Sequence, residues 1–132
     1  YINSGSPHII IYKEEIVDLD VVKIGRGIRY DKTISSAGVN VNFVKIQDDN
    51  TIYIRTYERG VEDETLACGT GSVAAAIAAY LQLKIQDQSY HFKIKAPGGE
   101  LEAGFHCISE NHFDQIYLKG PALEVFHGTI QI

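Results

Sequence analysis

Apolar and polar residues alternate along several short stretches of this chain, which is the pattern of β-strands with one buried face. A continuous apolar run at residues 8–12 predicts a buried first strand. Residues 41–47 and 51–58 predict a hairpin, because Asp48-Asp49-Asn50 between them has the composition of a turn.

The second half of the chain continues the same pattern. It predicts four further strands, at residues 90–95, 100–108, 115–119 and 123–132. The first two are joined through Pro97-Gly98-Gly99, and Gly120-Pro121 separates the last two. Six or seven strands are therefore expected in all.

Two helices are expected among these strands. Asp20 is placed to cap a short helix over residues 21–28, although Gly25 and Gly27 lower its helix propensity. Residues 72–83 are rich in alanine and apolar around the whole helix, so this helix must be enclosed by other elements. The prediction is a single α+β domain over residues 1–132, with an antiparallel or mixed β-sheet rolled around one buried central helix.

Composition narrows the classes of function. The chain has 132 residues, enough for a core of its own, and 12 Lys and Arg against 17 Asp and Glu give a net charge of −5. Phosphate backbones are bound by basic residues, so nucleic acid is not expected as a partner. The longest apolar run, residues 73–83, is shorter than the roughly 20 residues that cross a bilayer, so no membrane partner is expected.

The cysteine and methionine counts add two expectations. Cys68 and Cys107 lie 39 positions apart and form neither a disulfide framework nor a zinc-type spacing, which favours a reducing, cytoplasmic setting. The scattered histidines show no ligand spacing, so no metal is expected. The chain contains no methionine, so it is expected to be part of a longer product.

Candidate chemistry concentrates where the second helix begins. The N–H groups of Gly69, Thr70, Gly71 and Ser72 are free of internal partners at a helix start and could hold an anion. Cys68 precedes them, and the field of the helix end is expected to lower the pKa of its thiol. The alternative is that Cys68 only fills apolar space.

Polar residues at strand ends point to the same place. Glu58 follows the inward-facing positions of its strand, where a carboxylate needs a partner. Arg59 could bind a substrate carboxylate or pair with a neighbouring acid such as Glu62. Asn40 could bind the backbone of an amino acid, and Asn40 and Asn42 could equally satisfy loop amides.

Two other sequence patterns could suggest a functional site, but a structural role explains each of them better. Cys107 shares a strand face with apolar residues and is expected in the core. Gly69, Gly71 and Ala74 match the spacing of a dinucleotide-binding loop, but the predicted strand ends ten residues too early and acidic residues fill the gap. A dinucleotide site is therefore not expected.

The segment from Tyr57-Glu58-Arg59-Gly60 through Ala67-Cys68-Gly69-Thr70-Gly71 closely resembles the second cysteine motif of the diaminopimelate epimerases. Other pieces follow in the order of that family: Gly5-Ser6-Pro7-His8, Asn40-Val41-Asn42-Phe43, Pro97-Gly98-Gly99-Glu100-Leu101 and Gly120-Pro121-Ala122. The resemblance covers nearly the whole chain, but only the C-terminal half of the family's sequence.

The resemblance implies epimerisation of L,L-diaminopimelate to meso-diaminopimelate without a cofactor, on the route to lysine and peptidoglycan. Two cysteines would face each other across the α-carbon, one removing the proton and the other returning it. By motif, Cys68 resembles one of them, and Glu58 and His8 resemble residues that tune their protonation. The positions that resemble substrate-binding ones are Asn40, Glu58, Arg59, Gly69 and Thr70.

Three departures from the family matter. Ser6 stands where asparagine is common, so no substrate contact is assigned to it, and the loop between Arg59 and Cys68 is one residue longer than in some members. The N-terminal domain with the first catalytic cysteine is absent, so the isolated chain is expected to be inactive and that domain is its expected partner. A homodimer is a further possible assembly. The alternatives are a related racemase of proline, hydroxyproline or histidine, or a noncatalytic anion-binding module.

Overall fold

Most of the chain forms one mixed sheet that curls around a helix. The computed structural model describes residues 1–48 and 50–131. Its elements in chain order are β1 (Ile2–Asn3), β2 (Pro7–Tyr12), α1 (Val21–Arg29), β3 (Asn40–Asp48), β4 (Thr51–Glu58), β5 (Asp63–Thr65), α2 (Gly69–Leu83), β6 (Ser89–Ala96), β7 (Gly99–Ser109) and β8 (His112–Lys119).

The sheet has the order β1-β2-β3-β4-β6-β7-β8, and the short β5 pairs with the end of β4. The β2/β3 and β4/β6 pairs are parallel, and the other pairs are antiparallel. Helix α2 contacts every strand except β5, so the sheet wraps it on several sides. The predicted mixed sheet, an α+β fold, is confirmed.

Each face of the sheet carries a core. Ile52 and Ile54 of β4 pack toward α2, together with Phe92 and Phe105. Tyr57 of the same strand points to the other face and packs under α1. A Cβ at Gly25 would lie 2.4 Å from the Cβ of Tyr57, so this glycine lets α1 approach β4 closely.

The two helices begin where local chemistry directs them. The Asp20 side chain accepts a 3.0 Å hydrogen bond from the Lys23 N–H, which confirms the predicted cap of α1. Helix α2 starts at Gly69, three residues before the predicted start, because the Cys68 carbonyl already accepts the Ser72 N–H at 2.8 Å. Its last turn is open to solvent, with Leu81 39% exposed, so the helix is not enclosed along its whole length.

Most of the predicted strands are present, and one is wrong. The predicted strand at residues 51–58 coincides with β4, and the hairpin to β3 is confirmed, although Asp49 lies outside the described residues. No strand forms over residues 123–131, where Leu123, Val125 and Phe126 are each more than 80% exposed. The alternating pattern is there, but a strand also needs a paired edge and a surface that covers its apolar face. Ile132 lies outside the described residues.

Two short strands, β1 and β5, were not predicted, because two or three residues are too few to show a period. No helix in the described part of the chain is both long enough and apolar enough to span a bilayer.

Candidate active site

The sheet register gathers the polar residues at one end of the molecule. His8 lies opposite Asn40 in the parallel β2/β3 pair, and Asn42 lies opposite Thr56 in the β3/β4 hairpin. The starts of β2 and β3 and the end of β4 therefore meet. The first turn of α2 lies against them, since a Cβ at Gly71 would be 2.6 Å from the Asn42 Oδ1.

His8 is fully buried at the centre of this end. Its Nε2 lies 2.9 Å from the Ser6 hydroxyl and 3.0 Å from the Thr70 hydroxyl, and its Nδ1 lies 3.0 Å from the Asn42 Nδ2. Burial lowers the pKa of His8 to about 4, and the positive charge of Arg59 acts in the same direction. His8 is therefore neutral at neutral pH.

Cys68 lies next to this histidine network, as the residue before α2. The residue is 9% exposed, and its Sγ lies 3.7 Å from the Thr70 hydroxyl. Burial raises the pKa of the Cys68 thiol and the Glu58 carboxylate acts in the same direction, while the Gly71 N–H and the Thr70 hydroxyl lower it. The expected lowering of this pKa is wrong, because desolvation and the carboxylate outweigh the helix end.

The start of α2 offers fewer free groups than predicted. Gly69 and Thr70 are exposed, but Ser72 is buried, and both its N–H and its hydroxyl donate to the Cys68 carbonyl. Only the N–H groups of residues 69–71 remain for an anion, and that of Gly71 lies toward the Cys68 sulfur. Ser72 is therefore removed from the predicted anion site.

Glu58 ends β4 beside Cys68, and Arg59 directly follows it in the chain. The Glu58 carboxylate accepts a 2.9 Å hydrogen bond from the Thr65 hydroxyl, so it has the partner that its half-buried position requires. The Arg59 guanidinium contacts the Gly38 carbonyl at 3.4 Å and, within residues 1–48 and 50–131, forms no ion pair. The charge of Arg59 is thus available to an anion. The alternative prediction, an ion pair between Arg59 and Glu62, is not observed, because Glu62 pairs with Arg29.

The acidic loop before Cys68 is turned to the α1 face of the sheet. Glu62 pairs with Arg29 at 2.8 Å, and Glu64 binds Arg55 through two hydrogen bonds of 2.7 Å. Strand β5, with Asp63 at its start, fixes this loop against β4. The Glu62 and Glu64 carboxylates are thus neutralised by arginines, so they do not oppose an anion at α2.

Asn40 is held by protein groups. Its Nδ2 donates to the Ser6 hydroxyl at 3.2 Å and to the Pro7 carbonyl at 3.1 Å, and its Oδ1 accepts the Arg59 N–H at 2.8 Å. Asn40 therefore positions Arg59 and Ser6. These bonds agree with the alternative prediction, in which Asn40 satisfies polar groups of the neighbouring loops. A substrate contact by Asn40 stays a prediction.

Ser6, for which the sequence predicts no substrate contact, also belongs to this network, since its hydroxyl lies 3.1 Å from the Thr70 hydroxyl. The nearby Ser4 hydroxyl donates to the Thr70 carbonyl at 2.7 Å. The signal that pointed to this segment was the piece Gly5-Ser6-Pro7-His8, in which Ser6 departs from the family. Next to it lies an open cavity of about 540 Å³, which is lined by Asn3, Ser4, Gly69, Thr70, Val73 and residues 116–118.

Cys107 lies on β7 and has no part in the group of polar residues described above. It packs against the α2 core, as its strand phase predicted, but it is only half-buried, and its thiol donates to the Ser109 carbonyl at 3.4 Å. Among residues 1–48 and 50–131, no group of three or more histidine, cysteine or acidic side chains is arranged to hold a metal ion.

The family model described as "Diaminopimelate epimerase" matches residues 1–125, which include every candidate residue named above. The chain belongs to the diaminopimelate epimerase family. This membership confirms the resemblance that the Ala-Cys-Gly-Thr-Gly motif carried.

Curated members of the diaminopimelate epimerase family match almost the whole chain. The relative from Chlorobaculum tepidum is 44% identical over 132 residues, which are 100% of this chain and 49% of that protein. The relative from Flavobacterium psychrophilum is 44% identical and matches 98% of this chain and 50% of its own length. The relative from Aquifex aeolicus is 39% identical and matches 98% of this chain and 45% of its own length. The chain thus spans about half the length of the curated relatives it matches.

Solved structures share the fold at low identity. A protein described as a predicted epimerase from Pseudomonas aeruginosa has a TM-score of 0.60 at 14% identity, over 80% of this chain and 34% of that one. A phenazine biosynthesis protein of the PhzF family from Bacillus anthracis has a TM-score of 0.53 at 20% identity, and the match covers 83% of this chain and 33% of that protein. These similarities show the curled mixed-sheet fold of the family.

Proposed function

We propose that this chain forms one half of the active site of an enzyme that epimerises L,L-diaminopimelate to meso-diaminopimelate, a step toward lysine and peptidoglycan. The observation that carries the proposal is the placement of Cys68 between the Glu58 carboxylate and the start of α2. Family membership supplies the substrate, because curated relatives carry the name of this enzyme.

Cys68 acts as the proton donor in one direction of the reaction. A thiolate from the other half of the enzyme removes the α-proton and becomes a thiol, and the Cys68 thiol gives its proton to the opposite face of the same carbon. The Cys68 sulfur then carries the charge, so atoms and electrons balance and no cofactor is needed. The raised pKa of Cys68 keeps its proton in place before that step.

The carboxylate of the substrate would bind at the start of α2. The N–H groups of Gly69 and Thr70 would bind it, together with the Arg59 guanidinium, which forms no ion pair within residues 1–48 and 50–131. Negative charge grows on the carboxylate as the α-proton leaves, so these donors would stabilise the transition state more than the ground state.

His8 and Glu58 serve the two cysteines in this proposal. Glu58 lies beside Cys68 and can return a proton to it or take one from it between turnovers. His8, neutral and bonded to Thr70, would face the sulfur that the other half brings. Since one cysteine cannot act on both faces of a carbon, the chain alone would not epimerise its substrate.

A chimera tests the proposal directly. The chain replaces the matching half of the Chlorobaculum tepidum relative, and exchange and inversion of the α-proton of L,L-diaminopimelate are followed by NMR in deuterated water. We expect activity from the chimera, none from the isolated chain, and a loss of at least about a hundredfold in the Cys68→Ala chimera. An inactive chimera beside an active parent enzyme, or an active Cys68→Ala chimera, would refute the proposal.

A noncatalytic anion-binding module is the second candidate, because Cys68 in this structure has a raised and not a lowered pKa. The chimera separates the two, since a module would bind diaminopimelate and leave its α-proton in place. A related racemase would instead exchange the α-proton of proline, hydroxyproline or histidine. The cytoplasmic setting and the homodimer stay predictions.

A further inference from the structure

The neighbours of Asn42 fix the orientation of its side-chain amide. Asn42 is fully buried, and one atom of its amide lies 3.1 Å from the Ile9 carbonyl oxygen. A carbonyl oxygen can only accept, so this atom must be the nitrogen Nδ2. On the other side, the amide oxygen accepts a 3.0 Å hydrogen bond from the Thr56 hydroxyl. Chemistry alone therefore assigns both ends of the amide.

This orientation decides which nitrogen of His8 carries the proton. Nδ2 has a second hydrogen, and it points to His8 Nδ1 at 3.0 Å. Nδ1 must then present its lone pair, so in the neutral ring the proton lies on Nε2. Nε2 faces two oxygens that can accept that proton, the hydroxyls of Ser6 and Thr70.

The tautomer in turn sets the direction of the hydroxyl protons. The Ser6 oxygen already accepts from Asn40, so its own hydrogen can go to the Thr70 oxygen at 3.1 Å. Thr70 then keeps its hydrogen for the Cys68 sulfur at 3.7 Å. In the other tautomer, Nε2 would be an acceptor and would compete with the Cys68 sulfur for the Thr70 hydrogen.

We propose that Asn42 is a positioning residue, which holds His8 as the Nε2–H tautomer and thereby directs the Thr70 hydroxyl proton to Cys68. Its effect on proton transfer rests on the proposed function, whereas the tautomer does not. The surroundings hold the amide tightly, because Gly71 of α2 passes so close to Oδ1 that a Cβ there would lie 2.6 Å away.

The protonation of His8 agrees with this arrangement. Burial lowers the pKa of His8 to about 4, so the ring carries one proton at neutral pH. A hydrogen bond from His8 to the Asn42 side chain would raise that pKa only if the amide oxygen faced the ring. The Ile9 carbonyl shows that the amide nitrogen faces it, and an N–H that donates to Nδ1 leaves no place for a second proton.

NMR on the chain with ¹⁵N-labelled histidine tests the tautomer without any substrate. Long-range proton–nitrogen correlations distinguish a ring nitrogen that bears a proton from one that does not, and the loss of signals in His8→Gln assigns them. We expect His8 to show a proton on Nε2 and a bare Nδ1 at neutral pH. A proton on Nδ1, or rapid averaging between the two nitrogens, would refute the proposal.

Two nearly isosteric variants separate positioning from general disruption. Asn42→Asp places an acceptor beside Nδ1, so Nδ1 should gain a proton. Thr56→Val removes the partner of the amide oxygen and leaves the Nδ2 donor, so the Nε2–H tautomer should persist. The assignment is contradicted if Nδ1 still lacks a proton in Asn42→Asp, or if both variants shift the proton in the same way. If Asn42→Asp does not fold, the wild-type spectrum alone decides which ring nitrogen carries the proton.

The chimera measures the consequence for catalysis. Asn42→Asp should lower kcat by about tenfold with little change in KM, because the variant alters proton direction and no substrate contact. If the tautomer is as expected but the unmutated chimera is inactive, the proposed function fails and the assignment of Asn42 stands. If the chimera is active and Asn42→Asp leaves kcat unchanged, the role of Asn42 in proton transfer fails alone.

Discussion

Thr65 donates a 2.9 Å hydrogen bond to the Glu58 carboxylate, and this bond ties the end of β4 to the strand that leads into Cys68. The two residues lie on neighbouring strands, since Glu58 pairs with Asp63 and Thr56 pairs with Thr65 in the β4/β5 ladder. Glu58 is thus held in position beside the thiol by a group that itself is not expected to touch the substrate.

Thr65→Val removes this hydrogen bond and keeps the shape of the side chain. We expect a loss of about 1 kcal/mol in the free energy of unfolding and a several-fold lower kcat in the chimera, because the carboxylate loses its fixed position. Denaturant unfolding and steady-state kinetics measure the two effects. Thr33→Val, which removes an exposed hydroxyl bonded to Asp31, is the control and should leave kcat unchanged.

The thiol of Cys68 should titrate above an ordinary cysteine. Burial and the Glu58 charge both favour the protonated form, so alkylation of the Cys107→Ser chain should rise with pH only above the ordinary thiol range. Glu58→Gln removes a negative charge and should lower the pKa of Cys68. Glu110→Gln, in the exposed turn after β7, should not move it, and a pKa of Cys68 below the ordinary value would contradict the structure.

The stability of the chain should depend on pH through His8. Its pKa falls from 6.5 in the unfolded chain to about 4 in the fold, so the unfolded state binds the proton first as the pH drops. The contribution of neutral His8 to the free energy of unfolding is therefore fully present above pH 6.5 and decreases as the pH falls toward 4. The decrease should be about 2 kcal/mol once solvent screening is allowed for.

Denaturant unfolding at several pH values tests this dependence. His8→Gln should flatten the curve between pH 4 and pH 6.5. His112→Gln, at the exposed start of β8, should leave its shape unchanged. Equal slopes in the wild type and His8→Gln would show that His8 is not the group responsible.

Two glycines in helices should respond in opposite ways to alanine. A Cβ at Gly71 would lie 2.6 Å from the Asn42 Oδ1 and 3.3 Å from the Cys68 Sγ, so Gly71→Ala should destabilise the chain by about 2 kcal/mol. Gly27 in α1 has open space around it, so Gly27→Ala should stabilise the chain by up to about 1 kcal/mol. Thermal unfolding compares them, and similar changes in both would refute the close packing at Gly71.

Local signals in the sequence were enough for much of the fold. The strand period placed β4 at its observed residues, and Asp20 marked the start of α1. The same period failed at residues 123–131, because alternation reports which side chains are apolar and not whether an edge is available to pair with. A surface to cover this segment is a property of tertiary structure.

Part of the candidate site could likewise be predicted from the sequence, and part depends on the tertiary structure. Cys68 was singled out because it precedes the helix start, and Glu58 because it ends the inward face of a strand. The structure places the Glu58 carboxylate beside Cys68. The bonds of His8 to Asn42 were not foreseen, since they depend on a parallel strand pair between segments 34 residues apart. The direction of the Cys68 pKa was also missed, because the sequence shows the helix end but not the burial.

The raised pKa of Cys68 has a consequence for damage by oxidants. Peroxides attack the thiolate form of cysteine, and sulfenic acid formation follows how much thiolate is present. A thiol that keeps its proton and is 9% exposed presents little of that form at neutral pH. Cys68 should therefore resist oxidation as the thiol, and in the proposed reaction it would become sensitive to peroxides only as the thiolate left after it has given up its proton.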